Sequence, residues 1–227
     1  MTRFVALFCA ISVLSMGKES ESNAVKRLTE SALVLGDIMA AKDASIPQDL
    51  LDRAACVVVV PGLKKGAFII GGKYGRGFVS CRKKNGVGWS APGGVRVEGG
   101  SFGFQIGGAE TDVVMLVLND RGAEKMLSSK FTLGADASVA AGPVGRTTSA
   151  DTDAAMRAEI LTYSRTRGVF AGIALNGATL RDDDDTNQEL YGKELPNKQI
   201  VLENTAAPKA AAPLLAKLNK YSSRRSK

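Results

Sequence analysis

Histidine is absent from all 227 residues. That removes the commonest general base, the Ser-His and Cys-His nucleophile pairs and the usual catalytic zinc ligands. Carboxylate or lysine chemistry stays open. No compact pair of acids, however, stands in an apolar setting of the kind that raises a carboxyl pKa. The chain therefore reads as non-enzymatic, with no cofactor and no metal implied. Aromatic residues make up only 6% of it, and Tyr74, Phe78 and Trp89 are too few to interleave with the charges as base-stacking platforms, so nucleic acid is not an expected partner. The one long apolar stretch, Phe4 to Met16, is too short to span a bilayer. Of three cysteines, Cys9 lies in that stretch behind Phe8, where a lipid-modified cysteine needs a small residue.

What is present is positive charge. Thirty Lys and Arg against 23 acids give a formal charge of +7, which favours anionic partners: phosphates, headgroups, nucleic acid or an acidic protein. Between Cys56 and Gly100 stand Lys64, Lys65, Lys73, Arg76, Arg82, Lys83, Lys84 and Arg96 against the single acid Glu98, among glycines and short apolar runs. Met1-Thr2-Arg3 followed by the apolar stretch has the form of an export signal over 1–17. Cleavage fits after Gly17, or after Ala24; a buried or amphipathic N-terminal helix is the other reading. Export implies a periplasmic or extracellular protein and would permit Cys56 and Cys81 to pair. Two buried thiols on separate strands fit the sequence equally well.

An apolar content of 44% is that of a folded domain. Val25, Leu28, Ala32, Leu35 and Met39 recur at helical spacing, predicting an amphipathic helix over Asn23–Met39. A short second helix is expected from Ser45, with Ser45 as cap and Gln48 three residues on. Strands are expected over Cys56–Val60, Ala67–Ile70, Gly77–Cys81, Val87–Ser90, Val95–Glu98, Ser101–Ile106 and Val113–Leu118. A helix follows over Asp120–Leu127, then strands near Phe131–Leu133, Ser138–Ala141, Glu159–Ser164 and Val169–Leu175. Asn85-Gly86 reads as a type I′ hairpin turn. The fold class is α+β, a mainly antiparallel, strongly curved or barrel-like sheet of many short strands with a few packed helices. The domain is expected over 23–204. Residues 205–227 form a basic Ala/Pro/Lys tail, solvated or carrying a short helix from Pro213 to Tyr221.

Three binding motifs fail on spacing. A phosphate loop ending at Gly72-Lys73 needs glycine where Ala67 stands and a hydroxyl that can ligate magnesium where Tyr74 stands. Gly72, Gly75 and Gly77 lead into a strand, whereas a dinucleotide fingerprint opens a helix. The run Asp182 to Asp185 lacks the glycine and glutamate of a calcium loop and reads as a solvated turn or a cap for the helix carrying Leu190 and Tyr191.

Read in order, several blocks resemble the SYLF family. They are Ile46-Pro47 with Leu50-Leu51, Val57 to Pro61, Gly71-Gly72 with Gly75 and Gly77, and Trp89-Ser90 with Pro92. Gly134-Ala135-Asp136, Ala141-Gly142-Pro143 with Gly145-Arg146, Tyr163-Ser164, Gly168 with Phe170 and Gly172, and Tyr191-Gly192 continue the match. The resemblance covers roughly Asn23 to Glu203. It implies a non-catalytic lipid-binding domain, in eukaryotic relatives often for phosphoinositides, related to a yeast endocytic module that binds actin. It also implies that the helix Asn23–Met39 contacts the membrane. The export-type start and the lack of an SH3 or FYVE module within these residues make the chain look like a bacterial exported member.

The expected function is peripheral binding of an anionic phospholipid membrane through Lys64, Lys65, Lys73, Arg76, Lys83 and Lys84, each worth about 1 kcal/mol near a charged surface. The plain alternative for these side chains is solubilising charge on edge strands. The rival functions are a protein-interaction module for an acidic filament or envelope protein and a carrier of a small apolar ligand. Arg146 and Arg165 are expected to be structural partners of acids such as Asp136. The oligomeric state is left open.

Overall fold

The computed structural model describes residues 22–41, 45–68, 70–101, 109–128, 130–145, 157–166, 169–173 and 175–226. The expected signal segment, most of the strand expected over Ser101–Ile106, and Arg146 lie outside these residues.

The valine run and the glycine-rich run after it pair as one long hairpin, β1 (Cys56–Phe68) with β2 (Ile70–Cys81). On the far side of β2 lies β3 (Gly93–Ser101), and on the far side of β1 lies β4 (Ala109–Val117). The sheet grows outward through β9 (Thr179–Asp182) and β5 (Phe131–Thr132) beyond β3. Beyond β4 it continues into β7 (Ile160–Thr166), which pairs with both β6 (Val139–Ala141) and β8 (Val169–Gly172). Among the described strands, only β6 and β7 pair in parallel. The nine strands thus form the expected curved, mainly antiparallel sheet. Its curl shows in the inner core, where Phe131 and Leu180 from one edge join Val113, Val117 and Ile160 from the other side.

Both faces of β1 are covered, which is why it reads as an unbroken apolar run. Cys56, Val58 and Val60 face the inner core, and Val57 and Val59 face an outer one. Helix α1 (Asn23–Ala40), α2 (Gln48–Arg53) and α6 (Ala212–Tyr221) close the outer core. Helix α3 (Asp120–Met126) gives Ala123 and Met126 to the inner one, and α5 (Asn197–Leu202) gives Ile200 and Val201; α4 (Asp184–Tyr191) precedes α5. Ser22 caps α1 by accepting from the Val25 N–H at 3.3 Å. Leu28, Leu35 and Ile38 are fully buried, about 1.5–3 kcal/mol each.

Four sequence expectations change, and one open alternative is settled. Helix α2 begins after Pro47, whose fixed φ and missing N–H suit a helix start, and Ser45 does not cap it. Val87–Ser90 is not a strand: Trp89 bridges Arg82, and Val87 bridges Arg224 from the C-terminal segment. The turn there closes by Gly86 N–H donating to Lys83 O at 2.7 Å, with Gly86 left-handed (φ 71°) and Asn85 not. It is not type I′, because Asn85 Oδ1 instead accepts from Val87 N–H at 3.0 Å, an asparagine turn. The tail is not solvated: Leu214 and Leu218 are 1% exposed and sit in the outer core with α1. The leucine spacing was visible in the sequence; the partner face on α1 was not. The open alternative is the cysteine pair: Cys56 and Cys81, directly opposite in register, form a disulfide.

The glycines of β2 are architectural. A Cβ on Gly77 would lie 2.1 Å from Val59 O, so only glycine lets β2 lie this close to β1.

Candidate interaction surface

Strand alternation decides where the basic residues point. Between Val60 and Leu63, β1 carries one extra residue against both neighbours, with Gly62 left-handed (φ 58°) and its N–H donating to Asp112 Oδ1 at 3.0 Å. This bulge shifts the parity. Leu63 joins the inner core, so Lys65 and its cross-strand partner Lys73 share the inner face, whereas Lys64, opposite Tyr74, lies on the outer one. Lys64 Nζ is 3.9 Å from Glu110 Oε1, and both side chains are exposed. Burial and the neighbouring Lys73 charge lower the Lys65 pKa.

Arg76 is already engaged. Its Nε donates to the Tyr74 hydroxyl at 2.7 Å and lies 3.5 Å from Asp183, while Nη2 lies 3.6 Å from Asp185. The Tyr74 bond foremost, working against desolvation and helped by Asp183, holds its pKa above the ordinary arginine value. The acids that raised the calcium question are engaged too. Asp183 is fully buried and accepts from Thr186 Oγ1 at 2.7 Å, and Asp182 accepts from Asn197 N–H at 2.9 Å.

Lys83 and Lys84 are exposed at the opposite end of β2, about 30 Å from Lys73 at ~3.3 Å per residue. The six predicted residues are therefore not one patch. They divide between the two ends of the hairpin and between its two faces.

At the Lys83 end, the C-terminal segment 222–226 runs as a strap. Arg82 is buried over the Trp89 ring, its guanidinium 3.9 Å from the ring centre. It donates to Ser222 O at 2.7 Å, to Ala54 O and Leu51 O at 3.3 Å, and to Ser222 Oγ. Burial pushes its pKa down to about 10, so it stays charged at neutral pH. Trp89 Nε1 also donates to Ser222 O, at 2.8 Å. Farther on, Arg225 donates to Asp120 Oδ1 at 2.6 Å and to Arg53 O at 3.2 Å. The strap thus brings Arg224 and Arg225 beside Lys84 and Arg53, around a concavity of about 570 Å³ that also includes Asp120. In the sequence Arg224 and Arg225 stand in the basic tail, and nothing there marks Arg53. The available signal was the leucine-bearing helix just before Ser222.

Arg165 is structural, as expected, but its partners differ. Nη2 lies 2.9 Å from Asp112 and Nη1 2.5 Å from Asp37, tying α1 to β4 and β7. Asp136 instead accepts from Thr132 N–H at 2.6 Å. Helix α1 does not present an apolar face outward. That face is buried, leaving Leu33, 59% exposed, as its large apolar side chain in solvent.

A family model described as Ysc84, Las17-binding protein actin regulator, matches residues 98–221. This chain belongs to that family. It is 37% identical over 178 residues to the SH3 domain-containing protein PJ696.02 of Schizosaccharomyces pombe, covering 77% of this chain and 41% of that protein. It is 32% identical over 200 residues to LAS seventeen-binding protein 3 of Saccharomyces cerevisiae, covering 86% and 43%. It is 31% identical over 180 residues to the human SH3 domain-containing YSC84-like protein 1, covering 79% and 52%. The Ysc84-family chain thus spans about half, or less, of the length of these curated relatives.

Proposed function

We propose that this Ysc84-family chain is a non-enzymatic protein-interaction module whose partner presents an acidic surface. The observation that carries it is the strap-end concavity, where Lys83, Lys84 and Arg224 stand exposed beside Arg225 and Arg53. The family's description as a Las17-binding actin regulator supports a protein partner. Cosedimentation of the full chain with actin filaments tests it, actin being a protein that description names. Binding is expected to fall about tenfold with Lys83→Glu plus Lys84→Glu, and further as salt is raised. Binding indifferent to both sinks the reading.

A second reading, peripheral binding to anionic lipid, draws on the other hairpin end, where Lys64 stands exposed beside Tyr74, itself 45% exposed. A cation beside an amphipathic ring suits a headgroup layer. Insertion of α1 would first require undocking Leu28, Leu35 and Ile38. Vesicles with and without phosphatidylserine, in the same sedimentation assay, separate the two. Export to an oxidising compartment is part of the proposal, supported by the Cys56–Cys81 bridge.

A further inference from the structure

The sheet register places Arg76 opposite Arg96, and Arg96 opposite Arg181. One position beyond the Phe131–Leu180 pair, Lys130 continues the same row. Apolar neighbours fix the side: Val95, Val97, Leu180 and Phe131 all face the inner core, so the four cations share the outer face. Among the described residues, the outer apolar core draws on β1, β2, β4 and β7 and takes nothing from β3, β9 or β5.

Like charges directly opposite on neighbouring strands repel, and this row is only partly compensated. Arg76 has Asp183 and Asp185. Arg96 has one long contact, 3.9 Å to Glu98. Arg181 has no carboxylate within ion-pair distance among the described residues, and the Nε of both Arg96 and Arg181 is buried without a hydrogen-bond partner there. The adjacent row offers hydroxyls, Thr179 opposite Thr132.

We propose that Arg96, Arg181 and Lys130 form a docking row for an acidic stripe on a partner protein's helix. The match is one of spacing. Three cations one strand apart cover about 10 Å at ~4.8 Å per strand. Carboxylates at i, i+4 and i+7 of a helix cover about 10.5 Å at ~1.5 Å per residue. Guanidinium groups bind carboxylates in paired, charge-assisted hydrogen bonds. Glu98 opposes the incoming charge, which sets the register of the stripe along the row. The inference rests on the acidic-partner reading and names a surface separate from the strap-end concavity.

The probe is a labelled alanine-based helical peptide with glutamate at i, i+4 and i+7, titrated into the full chain by fluorescence anisotropy. A peptide of equal composition with its glutamates spread around the helix is the control. Arg181→Gln and Arg96→Gln should each weaken the striped peptide about tenfold and Lys130→Gln about threefold, while Glu98→Gln should strengthen it about threefold. Arg181→Lys should recover part of the loss, and thermal melts confirm that each variant folds; should Arg96→Gln unfold, the exposed Lys130 and the half-buried Glu98 still decide the matter. Equal binding of both peptides, or loss in Lys83→Gln plus Lys84→Gln but not in the row variants, overturns the row and leaves the acidic-partner reading standing. Binding of neither peptide by a chain that still cosediments with filaments also overturns only the row. Failure with peptides and filaments alike overturns both. Row-dependent binding of phosphatidylserine vesicles without peptide binding replaces the helix by a lipid surface.

Discussion

At one end of the β1–β2 hairpin, Cys56 and Cys81 are covalently joined, Arg82 is buried against the strap, and Arg225 crosses to Asp120. At the other end, Lys65 faces Lys73 directly, and Lys64 reaches Glu110 only at 3.9 Å. The two ends of the hairpin carry the same residue types, lysine and arginine. They differ in how many other segments converge on them. The strap end gathers α2, the turn after β2, α3 and the C-terminus, so its cations are partly spent on architecture; past the bulge, Lys65 and Lys73 form a like-charge pair and Lys64 makes a loose ion pair. A basic residue in sequence is therefore not yet a binding residue, and its neighbours in space decide which it becomes.

The strongest way to break this contrast is to remove the strap. A chain ending at Asn204 loses Ala211, Leu214 and Leu218 from the outer core, each buried leucine being worth about 2–5 kcal/mol against a typical domain margin of about 5–15 kcal/mol. The truncated chain should show no cooperative thermal transition by circular dichroism. Tail deletion thus cannot report on partner choice alone, because it dismantles the fold. Next in size, Arg82→Met leaves Ser222 O, Ala54 O and Leu51 O without their charged donor and should cost about 4 kcal/mol by urea denaturation. A loss below about 1 kcal/mol would mean the strap is held without Arg82, by Trp89, Arg225 and α6.

Much of this architecture was legible in the residues. The alternation of β3 and β4, the periodicity of α1 and the apolar run of β1 each follow from local spacing. What was hidden depends on contacts distant in sequence. The bulge at Gly62, which sends Lys64 and Lys65 to opposite faces, is set by Asp112, fifty residues on. Strand β9, four residues long, has no periodicity of its own to read, and without it Arg181 has no row to join. Arg224 and Arg225 became part of a basic concavity only because Ser222 is pinned under Arg82. Composition found the charge, and topology divided it.

A smaller change sharpens the disulfide end. The Cys56–Cys81 bridge closes a separation of 25 residues, so Cys56→Ala with Cys81→Ala should cost about 3 kcal/mol in the chain-entropy account. Urea melts of wild type with and without reductant should reproduce that difference. Equal stabilities would show that the ladder between β1 and β2 already holds the pair.

The smallest effect belongs to the bulged end and has the opposite sign. Burial, and then the charge of Lys73, holds the Lys65 pKa below its ordinary 10.5. The unfolded chain therefore binds more protons between that lowered value and 10.5, and stability contributed by this group rises with pH across the window. Below it Lys65 is charged in both states and its contribution is constant. Lys73→Gln removes that repulsion and should stabilise the protein by about 0.2–1 kcal/mol at pH 7, the range for directly opposed strand pairs, with less gain in high salt. The gain should shrink as pH climbs through the lowered Lys65 value, because the repulsion ends as Lys65 gives up its charge. Lys83→Gln, at a turn with no cation opposed to it in the ladder, should show no such pH-dependent gain. Parallel melts of the two variants from pH 7 to 11 make the comparison, and a Lys73→Gln variant no more stable than wild type at pH 7 would place the two ammonium groups farther apart in solution than their register implies.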